Sequence, residues 1–131
     1  METKTHPTET IARAYLTAVG DKDLTRLKAL LAPDLSFVGP VMTISGAPGV
    51  LEALKRIGAI HVRNDIQRVF VDGDEACVIY DFVTDTVGSV PTIEWLRIED
   101  GRVRSVKLYY DQLPWQVLRR ELEARASRAS A

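Results

Sequence analysis

Three turn signals divide the second half of the chain into four strand-like runs, and no other feature narrows the fold as much. The runs cover residues 60–71, 75–84, 89–98 and 102–110, joined by Asp72-Gly73-Asp74, Val87-Gly88 and Glu99-Asp100-Gly101. Links this short cannot hold a crossover helix, so consecutive runs must pair antiparallel. Cys77-Val78-Ile79-Tyr80 and Ile93-Glu94-Trp95-Leu96 are apolar on both phases, which predicts a sheet covered on both faces.

Helical patterns precede this meander. Pro7 and Thr8 open a helix with Ile11, Ala12, Tyr15, Leu16 and Val19 on one face, closed by Gly20 and Asp21. Asp23 caps a second helix carrying Leu24, Leu27, Leu30 and Leu31, which must stop before Pro33. A short strand over 35–38 ends at Gly39-Pro40, and Pro48 starts a third helix that runs to Gly58. After Leu113-Pro114-Trp115 comes a charged helix over 116–125, then a small, polar, frayed tail over 126–131. The expectation is an α+β fold in one domain, 1–131, with its core at about 8–115.

Composition excludes several partners. A formal net charge of -1 gives no electrostatic case for nucleic acid or an anionic membrane. One cysteine, Cys77, rules out an internal disulfide and a cysteine-based zinc cluster, and its apolar neighbours predict an inert core residue. His6 and His61 are too few for a catalytic zinc, so no metal and no cofactor are expected, and His61 at a strand start should be exposed. Asp111 is expected to bond local backbone. The polar start and the lack of a long apolar run predict a cytoplasmic protein with neither signal peptide nor membrane span. Tyr80, Phe82, Ile93 and Trp95, read as one outward face, form an apolar patch that a second copy of the chain would cover, making a homodimer.

Two acids stand inside apolar stripes. Asp81 alternates with Cys77, Ile79 and Val83, and Glu94 with Val90, Thr92, Leu96 and Ile98. A turn centred on Val87-Gly88 sets Asp81 opposite Glu94, where two like charges in a partly dry pocket push one carboxyl pKa upward. Solvated acids at a sheet rim, or acids paired with a nearby base, are the competing reading of the same pattern. The next hairpin has two constructions: a two-residue loop at Asp100-Gly101 puts Lys107 opposite Glu94, whereas a three-residue loop with Gly101 as a bulge puts Val106 there. The second is preferred, since it keeps Lys107 off the apolar face and Leu108 and Tyr110 on it.

The segments "AYLTAVGDKDLTRLKALLAPDLSFVGP" and "IEDGRV" before "YYD", in the order helix, helix, strand, helix, meander, resemble the SnoaL-like branch of the NTF2-like cone folds. That group includes polyketide cyclases, ketosteroid isomerases and limonene epoxide hydrolases. The resemblance implies a strongly curved antiparallel sheet closed by three helices into a conical apolar pocket, and dimerisation through the outer sheet face. By similarity to ketosteroid isomerase, Tyr15 falls at the oxyanion-hole tyrosine and Glu94 near the protonated acid, while the catalytic base falls at Gly39, which has no side chain. By similarity to limonene epoxide hydrolase, Asp81 replaces one catalytic carboxylate, but Phe37, Gly39, Ile79 and Leu108 stand where a tyrosine, an asparagine, an arginine and a second aspartate are needed.

These readings converge on Asp81, Glu94 and Tyr15 as catalytic candidates and on Phe37, Leu108 and Tyr110 as ligand-binding candidates. The expected function is binding of a small hydrophobic molecule with cofactor-independent acid-base chemistry of the isomerase or cyclase type. Its rivals are a binding protein without catalysis, an epoxide-hydrolase-like enzyme, and a dimerisation or accessory module with a filled pocket.

Overall fold

The computed structural model describes residues 6–130, of which Ser130 by its backbone alone. The chain runs α1 (Pro7–Asp21), α2 (Leu24–Leu30), β1 (Leu31–Val38), β2 (Thr43–Ser45), α3 (Ala47–Ile57), β3 (His61–Asp72), β4 (Glu75–Thr84), β5 (Gly88–Glu99), β6 (Arg102–Tyr110) and α4 (Gln112–Ser130). All six strands form one sheet in the order β2-β1-β6-β5-β4-β3, and only the β1–β6 pair is parallel. The fold is the expected curved α+β cone. Register shifts in β1, β3 and β6 mark where strands bend, because an unpaired residue sharpens the local twist.

Local chemistry explains the helix ends. Pro7 occupies the first turn of α1, and Lys22 closes the helix in the left-handed region at φ 58°. The Asp23 carboxylate accepts the Arg26 N–H at 3.1 Å, capping α2 as expected. Pro33 does not stop a strand, since it lies where the β1–β6 register slips between Leu31 and Ser36 and no ladder N–H is required of it. Hence β1 begins four residues earlier than its pattern predicts. Gly39-Pro40 is a turn rather than an end: the Gly39 N–H donates to the Met42 carbonyl at 2.8 Å, and the unpredicted β2 pairs back onto β1.

The helices pack on the concave face. Ala12, Tyr15, Leu16 and Val19 of α1, Leu27 of α2 and Val50 of α3 are buried against Val78, Leu96, Val103 and Val106 of the sheet. α4 departs most from its sequence pattern. It runs through the segment expected to fray, and only Ala131 of that tail lies outside the described residues. Leu118 is 0% exposed in the core, Trp115 and Leu122 pack against it, and Arg125 forks onto the Asp85 carboxylate at 3.0 Å. Among the described residues no helix is long and apolar enough to cross a membrane.

The strand faces correct one central expectation. The β4–β5 turn is the three-residue loop Asp85-Thr86-Val87, with Thr84 paired to Gly88. The Thr84 hydroxyl enforces it, accepting the Val87 N–H at 3.0 Å and donating to the Gly88 carbonyl at 2.9 Å. Relative to the expected pairing the register moves by three, an odd number, so one strand turns its other face inward. Glu94 therefore faces Val78, and Asp81 faces Pro91. Tyr80 and Phe82, expected on the outer face, are buried in the core, while Cys77 leaves it for a half-buried outer position opposite Trp95.

Candidate functional site

The mouth of the cone holds a cavity lined by α1, α3, the start of α4 and the inner face of the sheet. Water-sized molecules have about 80 Å³ available to their centres, several times the roughly 10–15 Å³ that one water needs. Val50, Ala53, Leu54 and Ile57 of α3 form one wall, facing Phe37, Leu108 and Tyr110 of the sheet. Phe82 and Trp115 close it at the α4 side, their ring centroids 5.4 Å apart.

One acid lies in this apolar lining. Glu94 is 3% exposed, and each of its oxygens takes a phenol: Tyr15 donates to Oε1 at 2.9 Å and Tyr80 to Oε2 at 2.5 Å. Three elements supply the triad, α1, β4 and β5, and Tyr80 reaches Glu94 because the Thr84 turn puts both on the inner face. Burial raises the Glu94 pKa above the usual carboxyl range, and the two phenol hydrogen bonds offset this only in part. The same burial, reinforced by the facing carboxylate, pushes both tyrosines well above their usual value. A carboxylate so held has unused lone pairs on each oxygen. It can therefore take a proton from a ligand without giving up either phenol.

A profile of the SnoaL-like domain matches residues 12–106, most of the chain, and ends within β6, short of Leu108, Tyr110 and α4. The chain belongs to the SnoaL-like family. No curated protein sequence matches this SnoaL-like chain. Solved structures do, at identities that establish the fold alone. A Kribbella flavida protein is 24% identical, with 93% of this chain and 96% of that one aligned and a TM-score of 0.77. A Catenulispora acidiphila protein with a ketosteroid isomerase-like fold, in complex with trimethylamine, is 21% identical over 77% of this chain and 85% of its own, with a TM-score of 0.68. A Sinorhizobium meliloti protein assigned as a polyketide cyclase is 20% identical over 80% of this chain and 100% of its own, with a TM-score of 0.70.

Of the six residues singled out by sequence, the SnoaL-like cone brings five to one cavity: Tyr15, Glu94, Phe37, Leu108 and Tyr110. Asp81 is not among them. It lies on the outer face, accepts from the Gln67 amide at 3.2 Å and pairs across the strand with Asp65. Asp81 and Glu94 therefore form no pair, and desolvation rather than a like charge raises the Glu94 pKa. Neither proposed β5–β6 register occurs. Asp100 and Gly101, at φ 53° and 72°, form a two-residue turn, and a further slip at Arg97–Ile98 sets Leu108 opposite Glu94. The face is as expected all the same: Lys107 lies outside, 4.9 Å from the Trp95 ring centroid.

Tyr80, Phe82 and Trp115 escaped the sequence reading. A signal for the first two was available, because Ala76, Val78, Tyr80 and Phe82 form the wholly uncharged phase of β4 and so the better core face. His61 is also corrected, being 3% exposed, stacked on Phe82 at 4.1 Å and bonded through Nε2 to the Asn64 carbonyl oxygen at 2.8 Å. Burial lowers its pKa, and it stands behind the cavity wall rather than at the mouth. Gly39 adjoins the lining: a Cβ there would lie 3.7 Å from Leu108 Cδ2.

Proposed function

We propose that this SnoaL-like protein binds a small hydrophobic carbonyl compound and transfers a proton between its carbon atoms without a cofactor, with Glu94 as the single acid-base group. The observation that carries this reading is the buried carboxyl held by two phenols in an otherwise apolar cavity. Ionised Glu94 takes a proton from the carbon beside the carbonyl. The C–H electron pair becomes a C=C bond, and the carbonyl π pair moves to oxygen. In a ligand with a second C=C bond conjugated to this enolate, Glu94 returns its proton to the far end of that bond as the oxygen pair re-forms the carbonyl, completing an isomerisation; alternatively the enolate carbon attacks a second carbonyl in the same ligand, closing a ring as Glu94 protonates the new alkoxide. Tyr110 is the donor for the developing oxyanion: it lines the same cavity, and burial raises its pKa, so the hydroxyl keeps the proton it donates. Tyr15 and Tyr80 hold the base, and Phe37 and Leu108 shape the apolar wall.

Proton NMR in D2O with a panel of small cyclic ketones and enones tests this directly. Catalytic amounts of protein should remove the signals of protons beside the carbonyl faster than buffer alone. Saturable binding with no exchange for any member would support the second reading, a binding protein. That reading is favoured by one observation: no second carboxylate lines the cavity among the described residues.

The outer sheet face carries a further expectation. Phe70, Ile93, Trp95 and Tyr109 are 37–50% exposed there, an apolar surface that a second copy of the chain would cover. Sedimentation should give a dimer at tens of micromolar, an order-of-magnitude setting for ordinary dimer affinities. A monomer at that concentration would remove the proposal.

A further inference from the structure

Trp115 has a buried polar atom that the proton chemistry does not use. Its indole Nε1–H is sequestered from solvent and meets no acceptor among the described residues. Leaving such a donor unpaired is unfavourable, and few are found in native structures. The rest of the ring is well placed: it lines the cavity and packs at 5.4 Å from Phe82 and 5.2 Å from Tyr110. Trp115 sits in the first turns of α4, beside Pro114 and only half-buried. Leu118 and Arg125 hold the helix further along.

We propose that Trp115 is the residue that recognises a ligand's acceptor oxygen, its indole turning toward the cavity on binding so that Nε1–H donates to a carbonyl or ether oxygen. Two donors then meet at the α4 side of the cavity, Trp115 Nε1–H and the Tyr110 hydroxyl, while Glu94 works from the β4–β5 side. The proposal rests on the cavity being a ligand site and adds what that ligand must carry: an oxygen that accepts without donating, on an apolar frame. A purely hydrocarbon ligand leaves the indole unsatisfied and is discriminated against.

Two probes of nearly the same shape separate these cases: acetophenone, with a carbonyl oxygen, and α-methylstyrene, with a methylene in its place. The two indole N–H signals in a proton–nitrogen correlation spectrum are assigned by the one that disappears in Trp115→Phe. Acetophenone should move the Trp115 signal downfield and leave that of Trp95 unmoved, and α-methylstyrene should produce no downfield shift. Wild type should prefer acetophenone by about three- to tenfold, the usual worth of one neutral hydrogen bond. Trp115→Phe, which keeps the aromatic packing, should lose most of that preference.

Equal affinities, or a preference that survives in Trp115→Phe, would overturn the proposal while leaving the ligand site intact. So would a Trp115 signal already downfield without probe and unmoved by it, since an internal water would then be the partner. If neither probe perturbs the methyl signals of Leu54, Ile57 and Leu108, the ligand site itself fails, and this inference with it.

Discussion

Glu94→Gln should cost at least about a hundredfold in any proton-transfer activity, the lower end of what a positioned acid-base group contributes, and should make the protein more stable at neutral pH. Both follow from one buried carboxyl. Folding raises the Glu94 pKa, so the folded state holds its proton more tightly than the unfolded chain does. Its contribution is therefore favourable below the ordinary carboxyl value and is lost as pH rises through the folded one. Glutamine has no charge to desolvate, and its amide can still accept one phenol proton and donate to the other phenol oxygen. Urea unfolding across pH 4–9 should show wild type losing stability relative to Glu94→Gln as pH rises through that window, the titration of His61 and the other groups being common to both. If both variants trace parallel curves, Glu94 does not titrate abnormally and the proposed base is wrong.

Tyr80→Phe removes the shorter of the two bonds to Glu94 and should act on stability and titration together. A buried hydrogen bond to a charged group is worth about 1.5–3 kcal/mol, so the loss should fall in that range at pH values where Glu94 is ionised and shrink in acid, where the carboxyl is neutral. Because the phenol lowers the Glu94 pKa, its removal should move that pKa further up. Carbon NMR of the Glu94 carboxyl measures this shift, and the pH midpoint of proton abstraction should move with it, since the ionised form is the base. A midpoint that stays put, or moves down, would mean that Tyr80 does not set the basicity of Glu94. Tyr15→Phe should shift the same midpoint in the same direction.

The meander and its helices were legible because Asp72-Gly73-Asp74 and Glu99-Asp100-Gly101 announce turns and because apolar residues recur with helical spacing. Glu94 was legible for a related reason, as a charge inside an otherwise apolar stripe. Asp81 gave the same signal and lies on the other face. What separated them was the position of a turn, and the three-residue loop under Thr84 cannot be chosen from composition when Val87-Gly88 next door offers an equally good turn. The faces of β6 came out correctly despite a register error, because the two-residue turn and the later slip together shift the pairing by an even number. α4 was hardest, since Leu118 and Trp115 are few apolar residues in a charged segment, and only the assembled cone shows the gap they fill.

The Thr84 hydroxyl touches neither Glu94 nor the cavity, yet it decides what the cavity contains. Strand side chains obey parity, so the loop acts as an address: with this register β4 delivers a phenol to the carboxyl, and with an odd register it would deliver Ile79 and Asp81 instead. A hydrophobic neighbour and a second charge would then stand where a neutral donor now stands. Divergence among cones of this shape has two routes open to it, exchanging a lining side chain or changing the length of a distant turn. The second exchanges every lining residue on one strand at once, without a substitution in the strand itself.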